Sequence, residues 1–368
     1  MKYMKRLNCI LIALALMVGG SAVGQIQIPG GPIKPPVPPA KQRQKPKKQA
    51  RPKKAAQSKV KYYDVTFTCN AYDADLYIDG DYVGDANIIQ ALKAGLHTVR
   101  VFTDYYNNFS TTINVSSNNS VDLPLTEKTD AESQYQLGIN YYEGRSGFPQ
   151  DYTQAAKRFL NAANKGDAEA QNWTGYCYHH GRGMEQSDEQ AAKWYQKAAN
   201  QGLAAAQNNI GYCYMKGLGV KHDNAEGLKW YLKAAEQGYA EAQNNLGDYY
   251  LTQNDRELAL KWFSRAASQG DAMGQFNLGF CYERGIGVDA DFREAFKLFK
   301  QAAEQGNADA QHWLGYCYEE GYGTSRSDDE AAKWYQKAVD QGVVEAQEGL
   351  DRIEKRKKNA TVRITRKF

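Results

Sequence analysis

Between Leu203 and Gly238 the apolar positions form two helical stripes separated by a short break. Ala206, Ile210, Cys213 and Tyr214 recur at the three- and four-residue spacing of one helix face, and Leu228, Tyr231, Leu232 and Ala235 do the same further on. The break, Lys216-Gly217-Leu218-Gly219-Val220, reads as a tight turn. Gly238 closes the stretch where a helix commonly ends in a left-handed residue. The pattern predicts helix, turn, helix, stop. It recurs along the chain, closing at Gly166, Gly202, Gly238, Gly270, Gly306 and Gly342, with gaps of 36, 36, 32, 36 and 36 residues. A fixed period in this range marks a stacked helical solenoid, because one such unit cannot bury its apolar face alone.

Glycine also stands inside each first helix, at Gly138, Gly175, Gly211, Gly247, Gly279 and Gly315. There it costs about 1 kcal/mol of helix propensity relative to alanine, so these positions read as close approaches between paired helices. Small residues (Ala155, Ala191, Gly227, Ala259, Ala295, Ala331) serve likewise in the second helices, and Trp194-Tyr195, Trp230-Tyr231, Trp262-Phe263 and Trp334-Tyr335 fill the wider gaps.

The full pattern is A-x-x-x-L-G-x-x-Y-x-x-G-x-G-V, then A-x-x-W-Y-x-K-A-A-x-x-G. Its first part appears as Ala242, Leu246-Gly247 and Tyr250, and again as Gly274, Leu278-Gly279 and Tyr282. This resembles the Sel-1-like (SLR) repeat of the tetratricopeptide superfamily. The resemblance implies an all-α right-handed solenoid of six helix-turn-helix repeats, at 131–166, 167–202, 203–238, 239–270, 271–306 and 307–342. Three departures are visible. Repeat one carries one extra loop residue around Phe148-Pro149. Repeat four lacks its Gly-x-Gly loop and is four residues short at Leu251 to Arg256. Arg158-Phe159 and Leu298-Phe299 replace Trp-Tyr in repeats one and five. Residues 343–358 read as a capping helix, and 359–368 as a basic tail in which Thr361 to Thr365 alternate like a strand.

Upstream, Lys2, Lys5 and Arg6 precede an apolar run from Ile10 to Val18, with Ala22 and Gly24 ahead of Gln25. This is a signal-peptide pattern over 1–24, cleaved between Gly24 and Gln25, and it leads us to expect an exported protein, periplasmic or at the cell surface. The run is short of the roughly 20 apolar residues a transmembrane helix needs, and no transmembrane segment is expected after cleavage. Residues 25–61 are rich in Pro, Lys and Gln with no acid, a composition that cannot offset its ordering entropy by burial. Polyproline-like, at about 3.1 Å per residue, this linker would reach roughly 110 Å.

From Tyr62 the texture changes to alternation: Val65, Phe67 and Cys69; Leu76 and Ile78; Val99 and Val101; then Ser110 to Val115 and Ser120 to Leu125. Asp79-Gly80 is a hairpin turn signal. The run Ala74 to Gly80, then Gly84, then Ala94 to Val101 resembles a PEGA domain, a small all-β, β-sandwich-like module of envelope proteins, here over 62–126. Asn70-Ala71-Tyr72-Asp73-Ala74 departs from the Pro-x-Gly-Ala that names that family.

The net charge of +4 hides a segregation. Residues 1–61 hold 14 Lys/Arg and no acid, whereas 62–350 hold 24 basic against 40 acidic residues. The basic linker reads either as an attraction to an anionic polymer or lipid surface or as a solvated spacer. Nucleic-acid binding is not expected, because no aromatic or groove-reading element accompanies the charge. Cys177, Cys213, Cys281 and Cys317 share one repeat position, where Tyr249 stands in repeat four, and read as small buried core residues. No catalytic, cofactor-binding or metal-ligating set emerges. Cys177, His179 and His180 come nearest to a metal cluster, but their spacing diverges on a helix.

The candidate site is positional. The resemblance implies that first helices line a concave face, contacting ligands from two residues before the family's Leu and from the residue after the Gly. Those positions are Asn172, Asn208, Asn244 and His312, and Tyr176, Tyr212, Phe280 and Tyr316. Asparagines could serve an extended peptide backbone and tyrosines supply rigid contact area; alternatively, the Tyr rungs pack between repeats and the Asn rungs are only solvated. The reading is a non-enzymatic protein- or peptide-binding scaffold of the bacterial envelope, with envelope proteins or extended peptides as partners. The other reading is a cell-wall or glycan-associating protein, attached through the β domain and linker.

Overall fold

The structure is a computed structural model that describes residues 61–365, with side chains to residue 359. The signal-peptide reading, and the linker apart from Lys61, lie outside the described residues. The described chain forms two compact units. One runs to Ala206 and includes Leu218–Val220; the other holds Gln207–Gly217 and the chain from Lys221 on.

The first unit opens with seven strands: β1 Tyr62–Cys69, β2 Asp75–Ile78, β3 Asp81–Asp85, β4 Ile88–Lys93, β5 Gly95–Phe102, β6 Phe109–Val115 and β7 Asn119–Leu123. They build two small sheets, ordered β4-β1-β7 and β3-β2-β5-β6. Pairing is antiparallel except for β1 with β7. Strand alternation places Val65, Phe67, Leu76, Ile78, Val99, Val101, Val115 and Leu123 in the core. Asp79 and Gly80 have φ of 55° and 92°, the left-handed pair that a two-residue hairpin needs between β2 and β3. The His97 ring Nδ1 and the Thr98 N–H both bond the Asp79 carboxylate, at 2.6 and 2.9 Å.

Thirteen helices follow among the described residues, two per repeat and one beyond. In chain order they are α1 Ala131–Glu143, α2 Tyr152–Asn164, α3 Ala168–His180, α4 Asp188–Asn200, α5 Ala204–Lys216, α6 Asn224–Glu236, α7 Ala240–Thr252, α8 Arg256–Ser268, α9 Ala272–Arg284, α10 Phe292–Glu304, α11 Ala308–Glu320, α12 Asp328–Asp340 and α13 Val344–Thr365. Asp and Ser side chains start many of them by accepting backbone N–H bonds, as Asp167 does from Ala170 and Ser187 from Gln190.

The in-helix glycines have a specific partner. A Cβ on Gly211 would sit 2.8 Å from the ring of Tyr231, and one on Gly315 would sit 2.8 Å from the ring of Tyr335. The missing side chain seats the second aromatic of each Trp-Tyr pair, so the helix-propensity cost is met by close packing. Glutamines tie the end of each repeat from the second on back to its own first helix, and from there to the preceding repeat. Gln201 donates to Gln171, Gln237 to Gln207, Gln269 to Gln243, Gln305 to Gln275 and Gln341 to Gln311, each at 2.8 Å. The first-helix glutamine passes the bond on: Gln243 donates to the Ala235 carbonyl at 3.0 Å. Sequence reading missed this ladder, although a Gln before each closing glycine from Gly202 onward announces it.

Repeat one departs from the pattern where it meets the β domain. Phe148, from the lengthened loop, is buried with ring centroids 4.9 Å from Tyr72, 6.1 Å from Tyr105 and 5.0 Å from Tyr141. Arg158, in the tryptophan slot, donates to Glu127 at 2.6 Å.

At the other end the described part of the basic tail, to Thr365, is helical. α13 continues to Thr365, past the expected cap boundary at 358 and through the strand-like Thr361 to Thr365. Its anchor is Glu319, a buried carboxylate that accepts from Arg352 Nη2 at 2.9 Å, Arg356 Nη2 at 2.8 Å and the Tyr335 hydroxyl at 2.8 Å. Burial alone would raise this carboxyl, but bonds from Arg352 and Tyr335 hold it below its ordinary value. Lys357 adds a pair to Asp329 at 2.7 Å.

Candidate functional site

The asparagine rungs are buried. Asn172 and Asn208 are 0% exposed and Asn244 4%. Asn208 Oδ1 accepts from Asn245 Nδ2 at 2.8 Å, and Asn244 Nδ2 donates to Asp271 Oδ1 at 2.7 Å. Asp271 also caps α9 through the Gly274 N–H. In the second unit these amides tie neighbouring repeats together and are not an open ladder for a peptide backbone. The physical reason lies in the short step between stacked hairpins: a residue on that face meets the next first helix before it meets solvent.

The aromatic rungs differ. Tyr212, Phe280 and Tyr316 are half-buried, as is His312, while Tyr176 is buried. Tyr176 packs edge-on to Trp173 at 5.7 Å, and Tyr316 to Trp313 at 5.8 Å. Each pair stands three residues apart on one helix. Arginines lie over these clusters: Arg182 over Tyr142, Tyr152 and Tyr176 at 5.4–5.6 Å, and Arg284 over Phe280 and Trp313 at 5.5 and 5.8 Å. Burial holds the His312 imidazole below its ordinary value.

Repeat four breaks this ladder. The slot after its first-helix glycine holds Asp248, where repeats two, three, five and six have Tyr176, Tyr212, Phe280 and Tyr316; the slot three residues earlier holds Asn245, as repeats three and five hold Asn209 and Asn277, where repeats two and six have Trp173 and Trp313. An aromatic position has become acidic. The absent Gly-x-Gly loop leaves room beside it. A cavity of about 170 Å³ opens there, lined by Tyr212 and Met215 of α5, Tyr231 of α6, and Asn245, Asp248 and Thr252 of α7. Asp248 Oδ2 and Asn245 Oδ1 are shielded from solvent and lack hydrogen-bond partners among the described residues. Burial pushes the Asp248 carboxyl up to about 7. Sequence reading passed over Asp248; the signal was the one acidic residue in a line of aromatics. A larger, shallower depression of about 610 Å³ lies against Phe292, Arg293 and Gly323.

Other reactive groups are engaged or muted. His179 Nδ1 lies 2.6 Å from Asp188 Oδ1. The thiols of Cys177, Cys281 and Cys317 are pushed up to about 12 by burial, which removes thiolate character. Among the described residues the cysteines are unbridged, no group of three or more His, Cys, Asp or Glu is placed to hold a metal ion, and no helix is long and apolar enough to cross a membrane.

Fold and ladder together define a helical-hairpin repeat protein, built to present side chains from stacked helices. Six consecutive matches to the Sel1 repeat model cover residues 131–167, 168–203, 204–239, 240–271, 272–307 and 308–343, more than half of the chain. The chain belongs to the Sel1 repeat family. A PEGA domain match covers residues 62–130. Among solved structures, c5321, a protective antigen present in uropathogenic Escherichia coli strains and displaying an SLR fold, is 37% identical. The match covers 60% of this chain and 48% of that one, with a TM-score of 0.50. A Sel1 repeat protein from Oxalobacter formigenes is 32% identical over 61% of this chain and 66% of its own, with a TM-score of 0.56. The chain therefore spans about half the length of the first and just under two thirds of the second. No curated protein matches it. Sel1 repeats are commonly scaffolds for protein–protein contacts and typically non-catalytic.

Proposed function

We propose that this chain is a non-enzymatic scaffold of the bacterial cell envelope that holds protein segments against the first helices of its repeats. One observation carries the reading. The Asn and Gln rungs are absorbed by ties within and between repeats, and the rungs that the first helices leave half-open include the aromatics Tyr212, Phe280 and Tyr316. Aromatic side chains on rigid helices give large contact area at small entropic cost. The envelope location rests on the signal-peptide pattern of residues 1–24. Replacing Tyr212, Phe280 and Tyr316 together by alanine, then identifying cross-linked envelope proteins, tests it. Loss of a defined partner set from a folded variant is expected; an unchanged set would contradict the reading.

A second reading, attachment to the cell wall through the β domain, is favoured by Tyr62, Ile89 and Leu96, which are 59, 62 and 73% exposed on its strands. Sedimentation of the full chain with purified wall, before and after changing all three to serine, decides whether this surface attaches.

A further inference from the structure

We infer that the cavity among α5, α6 and α7 receives a lysine side chain from an extended segment of a partner protein, with Asp248 and Asn245 accepting its ammonium group. The inference deepens the scaffold reading and rests on it.

Hydroxyl, amide and ammonium donors stand on the cavity wall, at Tyr212, Tyr231, Thr252, Asn224, Gln253 and Lys216, yet none of them reaches the two buried acceptors, Asn245 Oδ1 and Asp248 Oδ2. Asn245 is 2% exposed, and its amide nitrogen is committed to Asn208, so its free Oδ1 can only accept. Asp248 Oδ2 likewise has no partner among the described residues. Buried acceptors left in this way call for a donor. Lys216 also lines the cavity, but it is exposed at its edge and no ion pair joins it to Asp248. Burial raises the Asp248 carboxyl. Tyr231 of α6 and Cys281 of α9, which lie near it, have values raised by burial and are uncharged at neutral pH; Tyr212, Tyr249 and Lys216 line the same cavity.

Size and donor number select the guest. At about 170 Å³ the space is side-chain sized; a cavity of about 150 Å³ accommodates a benzene ring, whereas small-molecule pockets start at roughly 300 Å³. A lysine ammonium is compact and carries three donors, which two acceptors and one bridging water can satisfy. A guanidinium brings five donors in a rigid fork and would leave several unmet. Met215, Tyr212 and Tyr231 offer apolar surface to the four-carbon stem. The acidic balance of residues 62–350 favours approach of a basic segment.

The test uses the full chain and three heptapeptides with Ala/Ser flanks and lysine, Nε-acetyllysine or arginine at the centre, titrated by NMR. Lysine is expected to bind at least tenfold more tightly than either alternative, and Asp248→Asn to remove that preference while the variant keeps its melting temperature or gains. Failure of the lysine peptide to bind, or equal binding of the lysine and acetyllysine peptides to the unaltered protein, would overturn the lysine site without any variant being needed. A preference that persists in Asp248→Asn would do the same. None of these outcomes touches the scaffold reading, which stands or falls on the aromatic triple variant.

Discussion

Repeats one and four both break the family pattern, and they break it in opposite ways. In repeat one the extra loop residue and the Arg158 substitution are answered within the chain. Phe148 fills a slot among Tyr72, Tyr105 and Tyr141, and Arg158 reaches Glu127 through Nη2, its charge paired although its Nε has no partner among the described residues. In repeat four the lost loop and the Asp248 substitution are unanswered, and a cavity with two unpartnered acceptors remains. A departure that the chain satisfies itself belongs to the architecture. A departure left unsatisfied has no structural return to offset its desolvation, and points outward to a ligand.

The comparison breaks first at Phe148. Phe148→Ala should cost about 3–5 kcal/mol as a large-to-small change in a packed site, read as a loss of hydrogen-exchange protection shared by the β domain and repeat one. Protection lost in neither would mean that the lengthened loop is not a joint. Asp248→Asn should do the reverse. The native carboxyl holds its proton up to about 7, against an ordinary aspartate value of 3.8. The native state therefore binds the extra proton between these values, and stability falls as pH rises through that window. The variant should match the natural protein near pH 4 and exceed it by roughly 3 kcal/mol at pH 8, as urea unfolding at the two pH values would show. Arg158→Met removes the donor from Glu127 and should cost about 1–3 kcal/mol, with the loss shrinking in a Glu127→Gln background. Gln237→Ala breaks one rung of the regular framework and should cost about 1 kcal/mol, a baseline for ties that repeats two to six share.

How far the sequence foretold this depends on whether a feature repeats. Six helical hairpins and their closing glycines were legible, since period and composition both mark them; the in-helix glycines read as helix approaches, with the aromatics in wider gaps, whereas Gly211 and Gly315 seat the rings of Tyr231 and Tyr335. The β domain was legible in β1, β2 and β5 through β7, where alternation is clean; β4, reading Ile88-Ile89-Gln90-Ala91-Leu92-Lys93, alternates poorly. The asparagine rungs misled, because residue type cannot say whether a polar position faces solvent or the next repeat. Asn208 and Asn245 meet across 37 positions, a distance no local pattern reports. The anchoring of the expected capping helix was hidden for a similar reason: Arg352 and Arg356 look like surface basic residues until Glu319 is seen buried beneath them.

The most direct measurement is the titration of the Asp248 carboxyl itself, followed by carbon NMR on selectively labelled protein with and without the lysine peptide. The account expects a midpoint near 7 in the free protein and a fall toward the ordinary carboxylate range, about 4, once the ammonium is seated. A midpoint already near 4 without peptide would show the carboxylate to be satisfied as it stands, and would remove the contrast between the two broken repeats.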